Sequence, residues 1–289
     1  MEFSRFIDDA WRDHATDASA VAARLDAGIG LVTDEPQLNQ LMHLGQHVHG
    51  EHLGQWQAGV AFVERLTTLP VFAPAGASGQ ARTRSVASLR LSAGERGVLD
   101  ALSPSDRIRV LAMAAANLAD RDTARADALL REALHLAQRS DLPATDPMNR
   151  ALAVTGHNLA CTLEEKPARS ADERALMILA AQTSRHDWGQ VGTWLETERA
   201  EYRLANTWLQ AGDLPRAREH AQACLEIVAA NDGAALERLF GWEALGLVER
   251  AAGNATGHAQ ALARARAAFD QLDEADKSWC AASIDKLAG

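Results

Sequence analysis

The stretch that decides the fold is residues 201–224, which read Glu201-Tyr202-Arg203-Leu204-Ala205-Asn206-Thr207-Trp208-Leu209-Gln210-Ala211-Gly212-Asp213-Leu214-Pro215-Arg216-Ala217-Arg218-Glu219-His220-Ala221-Gln222-Ala223-Cys224. Its first part has helical spacing, and Gly212-Asp213 then predicts a tight turn. In the second part the small residues Ala217, Ala221 and Cys224 recur four and three positions apart, which places them on one helix face. We therefore expect a helix hairpin whose small side chains let the two helices approach closely.

Weaker copies of this hairpin lie on both sides of it. A leucine followed by a small residue recurs at Leu159-Ala160, Leu204-Ala205 and Leu245-Gly246, at steps of roughly 45 and 41 residues, which is a spacing found in helical repeat proteins. Alanine and leucine dominate, and aromatic residues make up only 5% of the chain, a composition that favours helix throughout. We therefore expect an all-α protein built from antiparallel helix-hairpin repeats.

Composition divides the chain into three parts. Residues 1–70 are predicted to form N-terminal helical hairpins, and residues 71–103 a loop and a short connecting helix. Residues 104–289 are predicted to form the repeat array, with a C-terminal capping helix that seals its last face. The boundary falls in the middle part because residues 73–79 consist of small residues, glycine and proline, a composition typical of loops.

Local signals predict three helix limits. Gly50 is expected to break the helix that starts near Pro36, because glycine is unfavourable inside helices. Arg82 to Leu91 is expected to form a short helix. Trp188 to Leu209 is expected to form a long helix that leads into the Gly212-Asp213 turn.

The hairpin Leu204-Ala205-x-x-Trp208-x-x-x-Gly212-Asp213-Leu214-x-x-Ala217-x-x-x-Ala221-x-x-Cys224 resembles the tetratricopeptide repeat (TPR). Trp242-x-x-Leu245-Gly246, followed by Gly253-Asn254, is similar to the first-helix signature of the same superfamily. This resemblance implies hairpins stacked into a right-handed TPR-like superhelix, a solenoid. The steps between copies exceed the roughly 34 residues of a tetratricopeptide repeat, so HEAT or armadillo repeats are the alternative.

The resemblance also implies a partner-binding surface. Similar proteins hold a peptide or a partner helix on the concave face, which the first helices of the hairpins line, and they do so without catalysis. The candidate partner-binding residues are first-helix polar side chains outside the core pattern, namely His157, Glu164, Arg199, Tyr202, Asn206, Glu243 and Arg250. A Tyr202 fully buried between helices would argue against this groove. The alternative interpretation is that these residues are solvated or bond one repeat to the next.

Net charge argues against two classes of partner, and cysteine usage indicates the redox compartment. The formal net charge of −10 argues against a nucleic-acid or anionic-membrane surface. No apolar run approaches the roughly 18 residues of a membrane span, and the N-terminus lacks the pattern of a signal peptide. Cys161, Cys224 and Cys280 are odd in number and far apart, which is typical of buried thiols in a reducing compartment. We therefore expect a cytoplasmic protein without a cofactor, and no local motif indicates an enzyme.

One cluster of side chains has the composition of a metal site. His43, His47, His49 and His52 fall within ten residues, with Glu51 among them. His43 and His47 are four apart and would share a helix face, a geometry that can bind a transition metal, and His52 could fold back beside them. The metal candidates are therefore His43, His47 and His52, although the order of residues is not the His-Glu-x-x-His motif of zinc proteases. The alternative is a set of hydrogen-bonding histidines at a hairpin corner.

Three functional hypotheses follow from these patterns. The first is a non-catalytic scaffold or adaptor that binds a protein or peptide in the concave groove. The second is a small-molecule or metal-binding sensor, or an enzyme without a local motif, that uses the His43–His52 region. The third is a module that forms a homodimer through exposed apolar faces.

Overall fold

The protein is built from helices. The computed structural model describes residues 2–289, which form fourteen α-helices, one short π-helical turn, one short 3-10 turn and no strand. The all-α prediction is therefore confirmed for these residues. None of the helices within residues 2–289 is both long and apolar enough to cross a lipid bilayer. The chain divides into two compact units, Met1–Met148 and Asn149–Gly289.

The first unit is a succession of helices that pack against their neighbours in the chain. They are α1 (Phe3–Asp13), α2 (Ala18–Ile29), α3 (Glu35–His47), the π turn (Val48–His52), α4 (Trp56–Leu66), α5 (Ala77–Ser92), the 3-10 turn (Arg96–Leu99), α6 (Pro104–Leu118) and α7 (Thr123–Arg139). Helices α6 and α7 form the most extensive pair, and α5 packs against α3, α4 and α6. Residues 71–103 thus contribute a core helix to this unit.

The second unit contains the predicted hairpins. Its helices are α8 (Met148–Glu164), α9 (Ala171–Val191), α10 (Trp194–Ala211), α11 (Leu214–Ala230), α12 (Ala235–Ala251), α13 (Ala255–Phe269) and α14 (Glu274–Ala288). The closest pairs are α10 with α11 and α12 with α13, and α10 also contacts α12. Consecutive helices therefore pack as neighbouring pairs.

The hairpin at residues 201–224 has the predicted form. Gly212 ends α10 with φ of 83°, a left-handed conformation that suits glycine at a helix C-terminus. Asp213 then caps α11, because its side chain accepts a hydrogen bond from the backbone N–H of Arg216. Ala205, Ala221 and Ala244 pack together in one buried cluster, so small residues do lie where α10, α11 and α12 meet.

Two predicted helix limits are wrong, and tertiary or capping contacts explain both. Helix α5 begins at Ala77 instead of Arg82, because Glu35 of α3 accepts a hydrogen bond from the backbone N–H of Ser78 at 2.8 Å and so satisfies the N-terminus of α5. Helix α9 continues through Trp188 to Val191, and α10 begins at Trp194. Thr193 and Glu196 form a capping box there, a local signal that starts a new helix.

The expectation that Gly50 breaks the helix is also wrong. Gly50 lies inside the π turn, which continues directly from α3. The apolar core packs α1 against α3 and α4. Phe3, Phe6 and Ile7 of α1 are buried in one cluster with Leu41 of α3 and Phe62 of α4, and each such side chain stabilises the fold by about 1.5–3 kcal/mol.

Candidate metal centre

The π turn brings two histidines onto one face. The backbone N–H of Leu53 donates to the carbonyl oxygen of Val48 at 3.0 Å, an i→i+5 hydrogen bond that makes the turn one residue wider than an α-helical turn. Side chains five residues apart therefore come together, and Nε2 of His52 forms a hydrogen bond of 3.0 Å with Nε2 of His47, in which one ring donates and the other accepts. Single π turns inside α-helices are frequent at functional sites.

His14 completes a group of three imidazoles. It directly follows α1, and its ring centroid lies 5.1 Å from that of His47 and 5.0 Å from that of His52. One potential ligand atom from each of the three histidines lies within 4.8 Å of the other two. Tetrahedral ligation at about 2.0–2.1 Å places two nitrogen ligands about 3.3 Å apart. A metal would therefore draw the widest pair together by up to about 1.5 Å.

Two further contacts orient the rings. Nδ1 of His47 lies 3.0 Å from Oε1 of Glu51, and Nδ1 of His14 lies 2.6 Å from the carbonyl oxygen of Trp11. Histidine ligands commonly donate their second ring N–H to a carboxylate or a backbone carbonyl, which fixes the tautomer and the ring orientation. If Nδ1 is the donor in both rings, each ring would offer Nε2 to a metal, and the ion would replace the hydrogen bond between His47 and His52. The Trp11 ring packs 5.0 Å from His14 and 5.2 Å from His47 and forms an apolar wall.

The electrostatics of the group differ from one residue to the next, because burial acts against the mutual attraction of His47 and Glu51. Burial, together with the nearby His47 and His14, lowers the pKa of His52 to about 4, so His52 is neutral at neutral pH, as a metal ligand must be. Burial also lowers the pKa of His47, but the charge and hydrogen bond of Glu51 outweigh it and raise that pKa overall. Burial raises the pKa of Glu51, yet His47 outweighs burial and keeps the carboxyl pKa below its usual value.

The other two histidines of the sequence cluster lie beside this group. His43 stacks on His47 with ring centroids 6.4 Å apart, and burial, with His47, lowers its pKa. It contacts the ring of Trp11 as well. His49 packs against Phe62 at 6.2 Å. The three histidines whose ligand atoms converge are thus His47 and His52 from the predicted set and His14 from outside it.

A buried amide network holds the π turn in place. Oδ1 of Asn117 accepts a hydrogen bond from Nε2 of Gln46 at 3.1 Å, and Nδ2 of Asn117 donates to Oγ of Ser92 at 3.0 Å. Asn117 is fully buried, and a Cβ atom at Gly50 would lie 2.5 Å from its Oδ1. Gly50 therefore lets the turn sit against α6, which explains a glycine at the centre of a histidine cluster.

The predicted partner-binding residues of the second unit bond mainly to one another and to neighbouring helices. The hydroxyl of Tyr202 donates to Oε2 of Glu243 at 2.9 Å, and Tyr202 is half-buried. Nη2 of Arg199 lies 3.1 Å from Oε1 of Glu237. Nδ2 of Asn206 donates to the carbonyl oxygen of Tyr202 at 3.0 Å.

The remaining three predicted residues lie on α8 and α12. Glu164 pairs with Arg203 and accepts a hydrogen bond from Oγ1 of Thr207 at 2.5 Å. Burial, with the nearby guanidinium of Arg203, lowers the pKa of His157 to about 4. Arg250 is exposed, and its Nη1 donates to the carbonyl oxygen of Lys286 at 2.8 Å.

Sequence reasoning missed several buried polar residues. His14 carries no local signal, because it is distant in the chain from the histidine cluster and reaches it only through the packing of α1. Glu198 and Glu201, both buried on α10, were also missed. Glu198 accepts a hydrogen bond from the Cys224 thiol at 2.7 Å, and Glu201 pairs with Arg185 and His220 at 2.5 and 2.7 Å. The sequence signal that could have revealed these two residues is their position on the core side of α10, where apolar residues are expected.

Comparison with known proteins adds no family to this geometry. No protein-family description and no curated protein matches the chain.

Proposed function

We propose that the first unit binds a divalent transition-metal ion, such as zinc, through His14, His47 and His52. The convergence of three histidine ligand atoms within 4.8 Å is the observation that carries this proposal. Imidazole nitrogen is a preferred ligand of zinc, copper, nickel and iron, whereas magnesium and calcium prefer oxygen. Glu51 would balance part of the charge of the ion through His47, and Trp11 would shield it from solvent.

The ion would link three segments of the chain. His14 follows α1, His47 ends α3, and His52 ends the π turn. A ligand that binds the folded state alone stabilises it by about 2.7 kcal/mol when its free concentration is 100 times the dissociation constant. Zinc is therefore expected to raise the melting temperature of the protein in a concentration-dependent manner.

Isothermal titration of the full chain with zinc tests this proposal. We expect binding of one ion per chain, and we expect both His14→Asn and His52→Asn to weaken it at least 100-fold. His186→Asn, which changes an exposed histidine of the second unit, is the control and should bind as the wild type does. His43→Asn distinguishes the ligand set predicted from sequence, which contains His43, from the set in the structure, which contains His14. We expect this variant to bind zinc as the wild type does. The absence of binding at micromolar protein would overturn the proposal.

We also propose that the hairpins of the second unit stack as a right-handed TPR-like array. This proposal is supported by the neighbouring pairs α10–α11 and α12–α13, by the left-handed backbone conformation of Gly212 and by the buried alanine cluster that contains Ala205. Such an array presents its first helices, here α10, α12 and α14, along one face. A crystal structure whose successive hairpins turn with the opposite hand would contradict the proposal.

Partner binding on that face is the second candidate function, and an aromatic row favours it. Tyr202 of α10 packs edge-on against Phe240 of α12 at 5.5 Å, and Phe240 against Trp279 of α14 at 5.5 Å. Trp279 is 67% exposed, and exposed aromatic side chains are favoured anchors in protein interfaces. A protein or peptide partner, or a second copy of the chain, is the proposed ligand of this row.

Affinity purification with Trp279→Ala tests the second candidate function. We expect a partner captured by the wild type to be lost with Trp279→Ala and retained with the substitution of an exposed arginine, Arg131→Ala, in the first unit. Light scattering at two protein concentrations distinguishes a homodimer from a different partner. Equal capture by the wild type and by Trp279→Ala would exclude the aromatic row as the binding surface.

A further inference from the structure

The last two carbonyl groups of the π turn are held by one arginine from another helix pair. Nη1 of Arg121 donates to the carbonyl oxygen of Glu51 at 2.8 Å, and Nη2 donates to the carbonyl oxygen of His52 at 2.7 Å. Arg121 lies between α6 and α7. Helix C-termini leave carbonyl groups without partners inside the helix, and the planar fork of arginine can satisfy two adjacent acceptors at once.

The backbone next to the π turn leaves room for this arginine. Gly54 has φ of 61°, a left-handed conformation that glycine adopts without strain. A Cβ atom at Gly54 would lie 2.2 Å from Nε of Arg121, so a larger residue would displace the guanidinium. Gly54 therefore leaves space beside the π turn for the guanidinium of Arg121, which donates its two hydrogen bonds there.

We propose that Arg121 is a positioning residue for the metal centre, and this inference rests on the proposed zinc site. His52 has its own carbonyl group held by Arg121, which fixes the backbone from which its imidazole extends. The separation of 3.0 Å between Nε2 of His52 and Nε2 of His47 depends on that backbone, because the two residues are separated by one π turn. Without Arg121, the π turn can relax toward α-helical bonding, which moves His52 away from the face of His47.

A second arginine of the same segment provides a matched control. Nη2 of Arg125 donates to the carbonyl oxygens of Leu91 and Ser92 at 3.2 and 3.3 Å, at the end of α5. Arg125 thus also holds two adjacent carbonyl groups at a helix end, but its acceptors belong to a helix that carries none of the three histidines. A general loss of helix capping affects both variants, whereas a loss of ligand positioning affects only the Arg121 variant.

Zinc titration of Arg121→Ala, Arg121→Lys and Arg125→Ala tests the inference. Residues that orient metal ligands typically change metal affinity by about 10- to 100-fold. We expect Arg121→Ala to raise the zinc dissociation constant about 10-fold or more, and Arg121→Lys, which cannot span both carbonyl groups, to raise it by a smaller factor. We expect Arg125→Ala to bind zinc as the wild type does. The visible spectrum of the cobalt-substituted protein should change with Arg121→Ala and stay unchanged with Arg125→Ala.

The outcomes separate this inference from the proposed function. If the wild type binds zinc and both Arg121 variants bind it equally well, Arg121 is only a helix cap and the inference is wrong, while the metal site stands. If the wild type binds no zinc, both the metal site and the inference fail. Arg121 is exposed, so its variants should fold. Should Arg121→Ala nevertheless unfold, the affinity of Arg121→Lys relative to Arg125→Ala decides.

Discussion

In the first unit, three imidazoles converge at one place, whereas in the second unit each buried glutamate lies against a cation, a hydroxyl or a thiol. His14, His47 and His52 offer the same kind of ligand atom to one point. Glu164 and Glu201, by contrast, are paired with arginines. Imidazoles can hydrogen-bond to one another, as His47 and His52 do at 3.0 Å, but three of them at one place also have the arrangement that a transition-metal ion binds. Complementary pairs stabilise the fold and need no ligand.

The largest expected effect tests the pairing in the second unit. The side chains of Glu164 and Arg203 are only 6% and 20% exposed. Arg203→Met leaves the carboxylate buried without its cation, and we expect a loss of about 3–5 kcal/mol in the free energy of unfolding, measured by chemical denaturation. The double variant Arg203→Met/Glu164→Leu should regain most of this loss. A loss below about 1 kcal/mol would mean that the pair behaves as an exposed ion pair, and the contrast between the units would disappear.

The next effect tests the packing of the π turn. Gly50→Ala places a Cβ atom 2.5 Å from Oδ1 of the buried Asn117, so we expect a loss of about 1–3 kcal/mol together with weakened zinc binding. Gly97→Ala is the control within the same unit, because a Cβ atom there meets nothing closer than 4.0 Å. Thermal unfolding and zinc titration of both variants measure the difference. Zinc affinity that survives Gly50→Ala would show that the ligands do not depend on the π turn.

The next prediction concerns the pH dependence of stability that Glu198 of α10 causes. Its expected size is similar to or smaller than the effect of Gly50→Ala. Burial, opposed by the hydrogen bond from Cys224, raises the pKa of Glu198 to about 7, and the residue is 1% exposed. Because the folded-state pKa lies above the ordinary value of 4.5, the folded protein holds this proton more tightly, and stability falls as pH rises from about 4.5 to about 7. Glu198→Gln should remove this decrease. Relative to the wild type, the variant should therefore gain about 1–3 kcal/mol in the free energy of unfolding when the pH is raised from 5 to 8.

Denaturation at pH 5 and pH 8 measures this effect, with Glu219→Gln on the exposed side of α11 as the control. The control should show no change in pH dependence. A pH dependence that stays the same in Glu198→Gln would place the titrating group elsewhere.

The smallest expected effect concerns the predicted groove. Tyr202→Phe removes the hydrogen bond to the buried Glu243, and we expect a loss of about 1–2 kcal/mol in stability. Thermal unfolding of Tyr202→Phe measures it. If stability stays constant while partner capture falls, the Tyr202 hydroxyl serves a partner instead of Glu243, and the second unit would also contain a ligand site.

The hairpins of the second unit could be predicted from sequence because their determinants are local. The turn at Gly212-Asp213 and the alanines at Ala205 and Ala221 act within one hairpin. The start of α10 was missed although Thr193 and Glu196 form a local capping box, because the apolar pattern around Trp188 runs on through the break. The all-α composition was sufficient for the fold class.

The convergence of the histidines could be predicted only in part because its determinants are distant in the chain. Gly50 packs against the buried Asn117 of α6, a contact that the sequence around Gly50 does not reveal. His14 reaches the other histidines because Phe3 and Phe6 anchor α1 in the core. The histidine cluster in the sequence thus indicated where imidazoles meet, while packing selected which of them converge.

A crystal structure of the full chain grown with zinc, with data collected at the zinc absorption edge, tests the central claim most directly. We expect one anomalous peak about 2.0–2.1 Å from a ring nitrogen of each of His14, His47 and His52. A peak at His43 that excludes His14, or no peak within reach of the three rings, would contradict it.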